Sequence, residues 1–110
     1  MNVHITTRHC EVPQEILERT EEQVASLSKY SPRAAGAEVV YLEEKLDKVV
    51  EVIIHVEGGE PVVARGEDLD FRNALDKVVS RLSRMLRKQR ELRTEHQAPP
   101  LWDRERAEQG

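Results

Sequence analysis

Two runs of β-branched residues, 49–56 and 62–66, meet at Glu57-Gly58-Gly59-Glu60. Adjacent glycines reach the positive φ angles that a tight turn demands, so the two runs are expected to pair as an antiparallel hairpin. A third such run, 37–43, precedes them and is joined through the short polar link Glu44-Lys45-Leu46-Asp47-Lys48, which predicts a second hairpin. A three-stranded meander is therefore the fixed centre of the fold, and the flanking segments must cover it.

Both flanks have the pattern to do so. Residues 2–8 alternate Val3 and Ile5 with Asn2, His4 and Thr6, the period of a half-buried strand. Pro13 then opens a helical stretch in which Ile16, Leu17, Thr20, Val24 and Leu27 recur at spacings of three and four, ending near Ser31-Pro32. After the meander, Asp68 or Asp70 can cap a last helix. Its buried face is marked by Phe71, Leu75, Val78, Leu82, Leu86 and Gln89, with Ala74 and Val79 beside them. The order β-α-β-β-β-α predicts an α/β chain of the α+β two-layer sandwich kind, a four-stranded mixed sheet with both helices on one face. A crossover through the first helix makes strands one and two parallel if they are neighbours. The apolar period stops after about residue 94. Residues 1–93 are thus expected to form one domain and 94–110, with Pro99, Pro100 and Trp102, a tail or the start of a linker.

Charge is unevenly placed. The chain of 110 residues has a net charge of −4. Residues 1–70 hold 7 Lys/Arg against 15 Asp/Glu, whereas residues 71–93 hold 8 against 2. A local excess of this size suits phosphate groups even in an acidic protein. On a helical projection Lys77, Arg81, Arg84 and Lys88 fall within about 60° of one another and about 130° from the apolar face. The helix, about 34 Å long at 1.5 Å per residue, outruns a strand of about 20 Å, so its end with Arg87, Lys88, Arg90 and Arg93 should overhang. Few carboxylates lie four residues away to neutralise the stripe.

Other chemistries find little support. His4, His9, His55 and His96 lack metal-ligand spacing, Cys10 has no partner cysteine, and no metal or cofactor is expected. Glu43 and Glu44 are neighbours on a strand and point to opposite faces, so they cannot form an acid–base pair. Gly58-Gly59 joins strands and does not open a helix, which excludes a phosphate loop of that kind. No nucleophile–base pair stands out, so neither an enzyme nor a small-molecule substrate is expected. The start MNVHITTRH lacks a signal peptide's apolar stretch and no run is long enough to span a bilayer, which predicts a cytoplasmic address without membrane attachment.

The run DFRNALDKVVSRLSRMLRKQR, residues 70–90, resembles the last-helix signature of the ribosome hibernation-promoting factor family, also called ribosome-associated inhibitor or stress-response translation inhibitor proteins. The steps Ala74-Leu75-Asp76 and Arg81-Leu82-Ser83-Arg84-Met85-Leu86-Arg87-Lys88 carry the likeness, with NVHITTRHCEVPQEI at the start and VEGGEPVVARGED in the hairpin. The resemblance implies a non-enzymatic protein that binds the small ribosomal subunit and its rRNA, overlaps the messenger and transfer RNA sites, and silences translation under stress. It implies RNA-facing roles for Arg81, Arg84 and Lys88, for Lys29 at the end of the first helix, and for Arg8 after the first strand. Lys77, Arg87 and Arg90 join them from the charge pattern. Gln23 and Ser26 stand where relatives carry basic residues, and Arg72 where they carry an aromatic.

Two other readings remain open from sequence. A double-stranded RNA-binding module shares an α-β-β-β-α core but places its lysines at the start of the last helix. A dimerising stress protein would need an apolar patch on the sheet's second face, to which Val49, Ile53 and Val39 or Tyr41 would contribute. The family's long forms add a C-terminal dimerisation domain, so a dimer is expected if this chain is part of a longer one.

Overall fold

The structure, a computed structural model, describes residues 1–97, with side chains through Leu92. Strand β1 (Asn2–Thr7) leads through helix α1 (Gln14–Ala25) and a 3₁₀ turn (Ser26–Tyr30) to strands β2 (Ala34–Glu44), β3 (Asp47–Val56) and β4 (Val62–Asp68), and helix α2 (Phe71–Gln97) closes the fold. The expected β-α-β-β-β-α order holds. The sheet order is β1-β2-β3-β4, with β1 parallel to β2 and the other pairs antiparallel. Helix α2 continues through Gln97, and the segment with Pro99, Pro100, Leu101 and Trp102 lies outside the described residues.

The first turn of the meander is tighter than the link read from sequence. Glu44 pairs with Asp47 across a two-residue turn in which Lys45 adopts a left-handed φ of 57°. In the other hairpin only Gly58 takes the positive φ, at 69°. Strand β2 begins three residues early, at Ala34, because the Ala34 amide bonds the Ser31 carbonyl as the 3₁₀ turn ends and the chain enters the ladder through an irregularity at Ala34/Gly36.

The core lies between the helices and one face of the sheet. Val24 and Leu27, Leu75, Val78, Leu82 and Leu86, and Ala37, Val39, Tyr41, Val50, Val52 and Ile54 form one buried cluster. Each fully buried Leu contributes about 1.5–3 kcal/mol relative to exposure. Helix α2 is laid so closely on β4 that a side chain at Gly66 would collide with the Ala74 carbonyl oxygen and press on Val78. Only glycine permits that approach.

Val39 and Tyr41 are therefore not on the second face, contrary to the expectation for a dimerisation patch. Their register partners are Val52 and Val50, and that pairing turns both toward the helices. The open face instead carries Val40, Leu42, Ile53 and Val63, interrupted by a Glu38–His55 pair at 2.8 Å and by Arg65, which pairs with Glu44, Glu51 and Glu67. Hydrogen bonds that Arg65 donates to Glu67 and then to Glu44 hold its guanidinium above its ordinary pKa. Val49 is buried on this same face between its partners Leu42 and Glu67.

Candidate nucleic-acid interface

Asp70 starts the basic helix: its carboxylate accepts the Asn73 amide at 2.8 Å, the bond that satisfies an otherwise orphaned N–H. Asp68 plays a different part. It accepts the Leu69 amide at 2.7 Å and pairs with Lys77 Nζ at 2.9 Å, and these contacts, Lys77 first, hold its carboxyl below the usual aspartate range. Core residues then set the helix phase, leaving Lys77, Arg81, Arg84, Arg87, Lys88 and Arg90 exposed. Gln89 ties the helix to the sheet through the Glu60 carbonyl at 3.3 Å. From there to Gln97 the helix runs on for about 12 Å at 1.5 Å per residue.

The expected stripe divides into two parts with different work. Lys77 donates to the Glu67 carbonyl at 2.9 Å and Arg81 to the Arg65 carbonyl, so both side chains fold over β4, the outer strand of the sheet. A free strand edge is a template for unwanted pairing, and cations laid over its carbonyls close it. The counter-charge to Lys77 comes from Asp68 on the strand, which a search for carboxylates along the helix could not find. Arg84 reaches only the Ser80 hydroxyl, at 3.2 Å, and among the described residues Lys88 has no hydrogen bond or ion pair.

Arg87 belongs to a second cluster. Its guanidinium carbon lies 5.4 Å from the centre of the Tyr30 ring, and Lys29 Nζ lies 5.2 Å from the same centre. Tyr30 is half-buried against the core and can orient both cations through its ring face. The 3₁₀ turn makes this possible, because it carries Lys29 and Tyr30 past the end of α1 to the flank of α2. A further exposed cation, Arg33, was missed from sequence. Its carbonyl accepts the Glu57 amide at 2.8 Å, and its guanidinium rests against Gly58. No sequence signal marked it, since an isolated arginine after Ser31-Pro32 reads as an ordinary loop residue. Lys29 and Arg87 thus share Tyr30 at the flank of α2, Arg33 lies against the β3–β4 turn, Lys88 continues the line of Lys77 and Arg81, and none of the four has an ion pair among the described residues.

Arg8 does not join them. Its amide bonds the Tyr41 carbonyl at 2.8 Å, and Tyr41 packs edge-on against Phe71 with ring centres 5.2 Å apart. Arg8 therefore lies near the start of α2, about 25 Å of helix from Lys88. Arg72 is exposed and shares a shallow cleft with Glu15, Arg19 and Glu22 of α1, so its charge faces acidic neighbours. Ser26 turns its hydroxyl back to the Gln23 carbonyl at 2.7 Å.

Among the described residues no helix is long and apolar enough to cross a membrane, and no group of three His, Cys, Asp or Glu is placed to hold a metal ion. The start of α2 carries Asp68, Asp70 and Asn73, not the lysines that a double-stranded RNA-binding module would place there.

The fold and its one-sided cationic helix define a small α+β module with a basic last helix. The chain belongs to the Sigma 54 modulation protein / S30EA ribosomal protein family, which it matches over residues 3–94. That match bears out the resemblance carried by the first strand, the hairpin and the last helix. The chain is 33% identical over 91 residues to the ribosome hibernation promoting factor of Pseudomonas putida, covering 83% of this chain and 88% of that protein. It is 29% identical over 96 residues to the protein of the same name from Escherichia coli K12, covering 87% of this chain and all 100% of the relative. Among solved structures, a ribosomal subunit interface protein from Coxiella burnetii has a TM-score of 0.76 at 19% identity, over 83% of this chain and 99% of that one, a likeness of fold alone. The N-terminal domain of Protein Y from Thermus thermophilus has a TM-score of 0.71 at 27% identity, over 80% of this chain and 98% of that one.

Proposed function

We propose that this protein is a ribosome hibernation factor that binds the small ribosomal subunit and inhibits translation by occupying the messenger and transfer RNA sites. The observation that carries the reading is the group of cations on and beside the far half of α2, in a chain whose relatives are named ribosome hibernation promoting factors. Lys29, Arg33, Arg84, Arg87, Lys88 and Arg90 meet rRNA phosphates, while Lys77 and Arg81 contribute from the β4 side and Arg8 makes a separate contact at the other end of the sheet. Cations fixed on a rigid helix displace counterions from RNA without losing much freedom of their own, and folded RNA is recognised largely by shape and backbone. Inhibition then needs no reacting group. A protein lodged where messenger and transfer RNA must pass excludes them by volume.

Sedimentation with purified small subunits, large subunits and whole ribosomes tests this. The parent protein is expected to pellet with small subunits and to inhibit translation in vitro. The variant with Arg84, Arg87 and Lys88 all changed to Glu is expected to fold, by circular dichroism, yet to lose both properties together. Equal binding to large subunits, or undiminished inhibition by the folded triple variant, overturns the proposal.

A further inference from the structure

The two outer strands of the sheet are treated differently. The β4 edge is covered by Lys77 and Arg81, which bond the Glu67 and Arg65 carbonyls. The β1 edge has no such cover. The Arg8 amide bonds the Tyr41 carbonyl, continuing a parallel ladder in which the even-numbered residues of β1 face β2. The amides and carbonyls of Val3, Ile5 and Thr7 therefore point away from the sheet, and among the described residues no side chain bonds them. Beside this edge, between β1 and α1, lies a cleft of about 370 Å³ floored by Ile5 and Leu17 and rimmed by Thr7, Gln14, Glu18 and Glu21.

We infer that the β1 edge is a docking site for an extended basic peptide that adds to the sheet as a fifth strand. Strand addition supplies main-chain bonds to Val3, Ile5 and Thr7, and alternate side chains of the added strand then fall on the helix side of the sheet. An apolar side chain there enters the cleft over Ile5 and Leu17, and flanking lysines or arginines meet Glu18 and Glu21. Charge decides against a second copy of this chain as the occupant. Two copies paired through β1 would bring the Glu18 and Glu21 rows of both α1 helices to one boundary, where like charges repel. Arg19 does not relieve the row, because it pairs with Asp76 of α2 at 3.0 Å. The site is separate from the cationic end of α2, so it works whether or not the ribosomal reading holds.

The test uses the whole protein and a synthetic eight-residue peptide of alternating lysine and valine, with blocked ends. Titration followed by amide resonances is expected to shift Val3, Ile5 and Thr7 as their amides gain partners. Methylating the backbone nitrogens of alternate peptide residues, the ones that would bond β1, is expected to weaken binding at least tenfold, as is Glu18→Lys with Glu21→Lys. Thr7→Pro removes one outward amide without touching the ladder and is expected to do the same while leaving co-sedimentation with ribosomes intact. The N-methylated peptide needs no altered protein, so a folding defect in a variant cannot obscure the result. Equal binding of the methylated peptide, equal binding of a glutamate–valine peptide, or self-association of the protein through β1 each overturns the inference.

Discussion

Tyr41 shows how one residue serves both packing and polarity. Its ring is fully buried at the centre of β2, edge-on to Phe71, and its hydroxyl is paired with the Thr20 hydroxyl, which in turn bonds the Ile16 carbonyl at 2.6 Å. A strand and a helix are thereby joined through two polar groups that would otherwise be costly to bury. Burial raises the phenol above its ordinary pKa of 10.0, against a smaller opposing effect of the Thr20 bond. An acid whose folded pKa is raised contributes stability that is complete below pH 10 and is lost as pH climbs through the folded value. Tyr41→Phe keeps the ring and leaves Thr20 its bond to Ile16. It is expected to cost about 1 kcal/mol at neutral pH and to make the loss of stability above pH 10 shallower. Urea unfolding of both proteins at neutral and alkaline pH checks this, and identical alkaline curves would remove Tyr41 as the titrating group.

At the scale of elements, α2 combines three tasks that a single charged stripe does not reveal. Leu75, Val78, Leu82 and Leu86 hold the sheet, Lys77 and Arg81 close the β4 edge, and Arg84 and Lys88 remain available beyond it. Arg81→Ala is accordingly expected to cost about 1 kcal/mol of folding stability by leaving the Arg65 carbonyl to solvent, and to raise the tendency to aggregate. Lys88→Ala should stay within about 0.5 kcal/mol of the parent while weakening RNA binding. Thermal melts and light scattering on the two variants distinguish these roles. The apolar period of α2, the Gly58 turn and the alternation in β1 were all legible in the sequence because each is local. The division of the stripe was not, since it depends on which strand lies at the edge beside α2. Nor was the inward turn of Val39 and Tyr41, because a shift of one residue in the β2–β3 register sends every side chain to the other face. The contacts of Arg87 with Tyr30 and of Arg33 with Gly58 each join segments far apart in the chain, and only the closed fold makes them.

For the whole molecule the arrangement of charge matters more than its total. In the proposed ribosomal role, the net charge of −4 works against RNA at long range, while the cations at the end of α2 favour it once the protein is suitably turned. The acidic side of α1 and the carboxylates around Arg65 resist approach in other orientations. Salt therefore acts on a small, countable set of contacts. Each phosphate neutralised contributes about 0.7–0.9 to the slope of log affinity against log salt, so the six cations proposed at the far end of α2 give a slope near −5. Raising salt threefold should then weaken ribosome binding by at least about 240-fold. Changing Arg87 and Lys88 to Gln removes two cations without adding repulsion, and the slope is expected to become shallower by about 1.4–1.8. Arg8→Gln, at the opposite end of the sheet, should change the slope by less than about 1 and leave the Arg87 and Lys88 effect intact, because substitutions this far apart act independently. A salt series with parent and variant proteins measures this directly. An unchanged slope in the Arg87 and Lys88 variant would mean that the end of α2 carries none of the phosphate contacts, whatever the affinity at a single salt concentration.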